Sequence, residues 1–218
     1  MRILARVLRR RWDRVPRWVL TDSKFDRILQ LAAGKDVLDC GCVGSRLEDP
    51  SGVAATSHYQ VARVARRCVG VDIVADEVGK RRDAGYDVRV ANVESMDLGE
   101  TFDVVVAADL IEHLSNAGAF LDRAAAHLRV DGLLCLVTPN LWSANTVFKA
   151  LAGLRMAVNP EHTCWYDPMT LVQLLRRHNF EPIEWYWQDY RRLPVVALLT
   201  AIRPNLAAHL IAICRKGG

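Results

Sequence analysis

The stretch VLDCGCVG, residues 37–44, decides the fold of this chain. Apolar Val37 and Leu38 lead through Asp39 and Cys40 to Gly41 and Gly44. A bend without a Cβ at that point lets backbone approach a ligand closely. A second apolar run ends in Val69-Gly70-Val71-Asp72, where a carboxylate can accept hydrogen bonds from both hydroxyls of an adenosine ribose. A dinucleotide loop would read G-x-G-x-x-G and enter a helix at once. Here the loop runs on through Ser45-Arg46-Leu47-Glu48-Asp49-Pro50. Asp39, just before it, suits a ligand with a positive amino or sulfonium group better than a pyrophosphate.

Outward from this stretch, short runs rich in Val, Ile and Leu alternate with helical patterns, the signature of a parallel sheet with crossover helices. The runs predict strands at 36–40, 68–73, 87–91, 102–107, 133–138, 182–186 and 209–214, seven in all. Helical spacing falls at 53–67, 75–84, 118–128, 169–179 and 195–201. Turn residues agree: Gly34, Ala84-Gly85 and Asp131-Gly132 each precede a strand, and Arg176, Arg177 and His178 supply cations to a helix C-terminus. Residues 141–168 exceed what a connection needs and predict a cap over the carboxyl edge of the sheet.

The chain has 218 residues, 51% of them hydrophobic and 25% charged, enough apolar content for a sizeable core. Its net charge of +4 is unevenly placed. Residues 1–17 carry seven arginines against Asp13 alone, a net of +6, which leaves the remainder at −2. A near-neutral body excludes a nucleic-acid groove spread over the domain. Ile3, Leu4, Val7, Leu8, Trp12 and Val15 recur at helical spacing among the arginines, so residues 1–34 read as a basic amphipathic helical segment. Docking of its apolar stripe on the domain and adsorption to an anionic membrane are both open readings, and the arginine-bearing apolar stretch 194–208 would suit the second. No signal-peptide pattern and no uninterrupted 18-residue apolar run occurs, and the six cysteines show no zinc spacing. The expectation is a cytoplasmic protein with reduced thiols, in peripheral contact with membrane if residues 1–17 bind one.

Five stretches, VLDCGCVG (37–44), VGVDI (69–73), ANVESMDL (91–98), FDVVVAADLIEHL (102–114) and DGLLCLVTPN (131–140), together resemble the class I S-adenosylmethionine-dependent methyltransferases. FDVVVAADLIEHLSNAGAFLDRAAAHL and HTCWYDPMTLVQLLRRHNFEPIE (162–184) look like the small-molecule subgroup that includes ubiquinone-biosynthesis O-methyltransferases. The resemblance implies a Rossmann-like, doubly wound α/β fold: a seven-stranded, mostly parallel sheet with its last strand antiparallel and helices on both faces, over residues 35–218. It implies in-line transfer of a methyl group from S-adenosylmethionine to a small-molecule acceptor, at oxygen, leaving S-adenosylhomocysteine; a lipid-linked or quinone-like acceptor would fit membrane contact.

It further implies that Asp39 orients the cofactor's ammonium and that Gly41 and Gly44 let the loop pass beside its methionine portion. Asp72 would hold the ribose, Ile73 would pack on the adenine, and Asn92 and Val93 would meet the adenine edge. Ala107 and Ala108 would leave room for the reacting methyl. The family's loop reads acidic-x-G-x-G-x-G, whereas Val43 and Ser45 replace the last two glycines here. Two readings from other classes therefore stand beside it: a non-catalytic methyltransferase-like binding module, and a nicotinamide-dependent Rossmann oxidoreductase sharing Asp72.

A hydroxyl acceptor needs a general base, and His113 and His162 are the candidates, with Asp109 beside them in sequence. If residues 109–114 are α-helical, Asp109, Glu112 and His113 share one face, a weaker alternative site for a divalent cation. His162 stands before Trp165 and Tyr166, which can face an acceptor or simply pin the cap. His58, in a helix near the glycine loop, reads as structural. Trp185 and Trp187 alternate onto one face of a strand, with one of them expected to be half-buried.

Overall fold

The computed structural model describes residues 18–21, 23–44, 57–155, 159–189 and 194–217. The amphipathic reading of residues 1–17, the helix start before residue 57 and the loop 45–56 lie outside the described residues. Eight strands form a single sheet in the order β1-β7-β8-β6-β5-β2-β3-β4. They are β1 (Trp18–Thr21), β2 (Asp36–Cys40), β3 (Arg67–Asp72), β4 (Val88–Val90), β5 (Phe102–Ala108), β6 (Leu128–Pro139), β7 (Phe180–Gln188) and β8 (His209–Lys216). Only β8 runs antiparallel to its neighbours, β6 and β7. Seven strands match the sequence pattern; β1 is the addition. Four residues beside an arginine-rich helical pattern carry no periodicity of their own, and β1 forms by pairing its backbone with the edge of β7.

Alternation along the strands divides the core into two layers. On one face Leu38, Val69, Val105 and Leu136 pack with α4 (Ala117–Ala126) and α6 (Pro168–Arg177) through Phe120, Leu121, Leu171 and Leu175. On the other, Val37, Val104, Val106 and Cys135 pack with Ile28 and Ala32 of α1 (Lys24–Ala32) and Val61 of α2 (Ser57–Val64). The packed body thus includes β1 and α1, which lie before residue 35, the boundary the sequence alone suggests. Trp185 and Trp187 are both buried, the second by Leu20, Ala207 and Leu210 rather than left half in water. All six cysteines are free thiols.

Helix ends follow local chemistry. Asp167 caps α6 in a capping box with Thr170, Pro168 occupies its first turn, and Asn179 follows its end at φ +60°. Of the three remaining helices, α3 (Ala75–Asp83) follows β3, α5 (Ala144–Leu151) lies in the long segment after β6, and α7 (Pro194–Ile202) lies between β7 and β8.

At the amino edge of the sheet, Asp36 meets both Arg66 and Arg129 at 2.7 Å, while Arg129 also holds Asp103 at 2.6 Å. The Arg66 and Arg129 guanidinium groups hold the Asp36 carboxyl well below the usual carboxylate range. A depressed folded-state value stabilises the fold above the unfolded value of about 4 and is lost as pH falls through the folded one. Because Arg66 is largely in water, solvent screening keeps the contribution small. Asp36→Asn is expected to lower stability modestly at neutral pH, with the deficit shrinking as pH falls below ~4, as urea denaturation across pH will read.

Strand order reverses between β2 and β5: β2 continues outward to β3, β5 to β6. The crevice beyond their carboxyl ends is where an open α/β sheet places a ligand.

Candidate functional site

Gly41 leaves β2 at φ +75°, and a Cβ there would meet Leu110 Cδ1 at 3.1 Å. The two loops at the reversal point thus touch, and only glycine suits both the backbone angle and the gap. Beside them lies a cavity of about 240 Å³. Gly41, Asp72, Ile73, Asn92, Val93 and His113 all line it, so residues from four separate stretches of sequence meet at one opening.

Asp72 ends β3 with each carboxylate oxygen accepting one backbone N–H: Val43 on Oδ2 at 3.1 Å and Val74 on Oδ1 at 3.1 Å. An ionised carboxylate offers about four lone-pair positions, so two remain for a ligand diol. Ile73 is 67% exposed although wholly apolar, a side chain that nothing described covers. Asn92 accepts the Glu94 N–H at 2.9 Å through Oδ1, leaving its amide N–H groups as the donors it can offer. Val93 is buried beneath this turn.

Val43, where the family pattern has glycine, needs no left-handed backbone. Its side chain is buried with Cys42, Val78 and Val88, and its carbonyl accepts from Arg81 Nη2 at 2.8 Å. Arg81, fully buried, thus anchors the loop from α3; no local sequence signal marks it. Gly44 is exposed at φ +69°, outside the cavity lining. Ser45 lies outside the described residues.

Asp39 differs from its expected place. It is 4% exposed, and His58 Nδ1 meets its Oδ2 at 2.9 Å. The carboxylate therefore sits under the loop as half of a buried pair, outside the cavity lining. His58 is structural, as expected. Gly70 makes room for it, since a Cβ there would lie 2.8 Å from His58 Cε1 and 2.7 Å from Cys42 Sγ. Ala107 is fully buried in the core and Ala108 packs against the opposite layer; neither lines the cavity.

After β5 the chain turns at Asp109 with φ +52°, and a single 3-10 turn, Ile111–His113, follows. That geometry breaks the expected helical face: Asp109 does not join the group of ligand atoms formed by Glu112, His113 and His162, although its charge still reaches Glu112 and His162. Its carboxylate pairs instead with Lys24 of α1, with His209 Nε2 at 3.7 Å. Lys24 and His209 carry no motif; they reach Asp109 because the β1–α1 turn and the start of antiparallel β8 lie at the carboxyl edge of the parallel strands.

The 3-10 turn is held by the returning part of the long segment. Thr163 donates its N–H to the Glu112 carbonyl at 2.8 Å and its hydroxyl to the Leu114 carbonyl at 2.7 Å, and Asn140 bridges Tyr166. His162 is thereby placed edge-on to His113, ring centres 4.6 Å apart. Burial, with the neighbouring His113 ring, pushes the His162 imidazole below its usual value, which favours a neutral ring able to accept a proton. Glu112 is buried against Thr138 Oγ1 at 3.0 Å, and burial pushes its carboxyl up to about 7. Glu112, His113 and His162 each bring a ligand atom within 4.8 Å of the others, the grouping that could hold a cation in place of the expected Asp109 set.

The family model described as "Methyltransferase domain" matches residues 9–184. The ubiquinone biosynthesis O-methyltransferase of Nitrobacter winogradskyi is 30% identical over 165 residues, covering 71% of this chain and 59% of that protein. The chain thus spans about three fifths of the length of the curated relatives it matches. Among solved structures, the magnesium protoporphyrin IX methyltransferase of Synechocystis superposes with a TM-score of 0.62 at 16% identity, covering 88% of this chain and 82% of that one. An N-methyltransferase of Bradyrhizobium japonicum, solved with S-adenosyl-L-homocysteine, gives 0.58 at 15% identity, covering 89% and 86%.

Proposed function

The chain belongs to the class I S-adenosylmethionine-dependent methyltransferase family, and from that premise we propose that it methylates an oxygen of a hydroxylated, quinone-like small molecule, with S-adenosylhomocysteine as product. The observation that carries the reading is the Asp72 carboxylate, fixed by two backbone amides with two acceptor positions left, beside the glycine bend and the uncovered Ile73. A diol next to a flat ring fits that arrangement. The relatives' names support oxygen and a quinone-like acceptor.

Bound cofactor supplies a methyl group already activated on a sulfonium. Asp72 holds the ribose hydroxyls, Ile73 covers one face of the adenine, and the Asn92 turn meets its edge over Val93. Gly41 lets the loop backbone lie against the ligand. The remaining work is alignment of acceptor and methyl in a dry site, together with removal of the acceptor's proton. His113 lines the cavity and His162 backs it; one of the pair accepts that proton. Asp39, Gly44, Ala107 and Ala108 support the site without lining it, and Asp109 works through Lys24.

The test is calorimetry and melting with S-adenosylhomocysteine and NADH in parallel, followed by transfer of labelled methyl to a catechol. S-adenosylhomocysteine is expected to bind and raise the melting temperature and NADH to do neither; the reverse overturns the assignment. His113→Ala is expected to lower kcat by about 10²–10⁴-fold at near-unchanged S-adenosylhomocysteine affinity.

A further inference from the structure

Lys24 is the first residue of α1, and its ammonium reaches across 85 positions of chain to the Asp109 carboxylate. Two local rules oppose it there. The dipole at a helix N-terminus favours negative charge, and a lysine side chain is costly to immobilise, yet this one is only 12% exposed. Residues that break local rules and are compensated from far away mark functional or strained sites. Asp109 breaks a rule as well: φ +52° is left-handed backbone that a side chain disfavours. It is the link between β5 and the 3-10 turn. On its sheet side, its N–H donates to the Val137 carbonyl at 2.9 Å. On the other side, Leu110 lies against Gly41, and the Leu110 carbonyl accepts the His113 N–H at 2.9 Å. The direction in which the turn leaves the sheet is therefore set at Asp109, and with it the place of His113 in the cavity lining.

We propose that Lys24 is a positioning residue for the proton acceptor: acting through Asp109, it fixes the left-handed turn that presents His113 and balances the carboxylate's charge beside the His113–His162 pair. The inference rests on the reading of that pair as the proton acceptor. Among the described residues, the other group facing the Asp109 carboxylate is His209 Nε2, at 3.7 Å. Burial pushes the His209 imidazole below its usual value, which favours a neutral ring and leaves the Lys24 ammonium as the opposing charge. The charge of Asp109 reaches both Glu112 and His162, and that of Lys24 reaches Glu112 with the opposite sign. Pairing of β1 with β7 sets the turn into α1 at this edge, so the first strand and helix become part of the site.

Lys24→Met is expected to lower kcat for methyl transfer to a catechol about tenfold, with KM for the catechol and S-adenosylhomocysteine affinity changed less than about twofold. Lys24→Arg keeps the charge and the reach and should restore most of that loss. Asp109→Asn, which tolerates the same backbone, should lose as much as Lys24→Met, and the double variant no more than either, since the two act as a unit. The imidazole resonances of His113 and His162 in the free protein read the same contact without turnover. Lys24→Met is expected to shift them, and Lys24→Arg to leave them near their original positions. A merely structural Lys24 would lower melting temperature and S-adenosylhomocysteine affinity together, with no rescue by arginine, and that result overturns the proposal. Additive losses in the double variant overturn it too, as do imidazole signals that Lys24→Met leaves in place. If the unaltered chain methylates no catechol, the proposed function falls, and the resonances still decide the role of Lys24.

Discussion

Asp72→Ala is expected to reduce affinity for S-adenosylhomocysteine by about 100- to 10,000-fold, read by calorimetry. The side chain ends β3 with both oxygens oriented by backbone amides, so its remaining acceptor positions are fixed before a ligand arrives. Two charge-assisted hydrogen bonds to a diol contribute roughly 1.5–3 kcal/mol each, and tenfold in affinity corresponds to about 1.4 kcal/mol. The same substitution releases the Val43 and Val74 amides, so stability falls as well, by about 1–3 kcal/mol. Asp72→Asn separates the two effects: its amide oxygen can still accept one backbone amide but offers the diol no charge. It should retain most of the stability and lose most of the affinity. Unchanged affinity in a folded Asp72→Ala protein would remove Asp72 from the site.

His58→Ala is expected to destabilise the fold by about 3–5 kcal/mol in urea denaturation, among the largest effects of any single substitution here. Both partners of the Asp39–His58 pair are buried, so removing the imidazole strands a carboxylate oxygen away from water and opens a hole beside Gly70, Cys42 and Tyr86. Asp39→Ala should lose a comparable amount. The double variant should lose less than the two singles together, because the two act as one unit. The pair lies two residues before Gly41 on β2, so S-adenosylhomocysteine affinity is expected to fall with stability. Additive losses in the double variant would show that the two residues act independently.

Asp72 and Asp39 mark how far position in the sequence carries. Asp72 is conspicuous as a carboxylate at a strand end, and the structure places it in the cavity lining. Asp39 is equally conspicuous in VLDCGCVG, yet its direction is set by a histidine nineteen residues on. A strand residue faces one side or the other according to its register, and register does not show which partner waits there. Val43 and Asp109 make the same point from the backbone. Val43 stands at the glycine position without backbone strain because its φ is ordinary and its side chain turns inward. Asp109 leaves the expected helical face because the chain there takes a left-handed turn before a single 3-10 turn. The two histidines stand out in the sequence but their contact does not, since His113 and His162 meet through the hydrogen bonds of Thr163 to the 3-10 turn.

Seven strands, their alternation with helices, the glycine bend and the acid at the end of β3 are legible in the sequence. Each of these rests on local physics: side-chain periodicity, the conformational range of glycine, and the chemistry of turns and caps. The eighth strand, the Asp39–His58 and Lys24–Asp109 pairs and the buried Arg81 anchor are not legible there. They depend on groups far apart in the chain, brought within reach when the strands assemble and the carboxyl ends of the parallel strands meet the start of β8 at one edge.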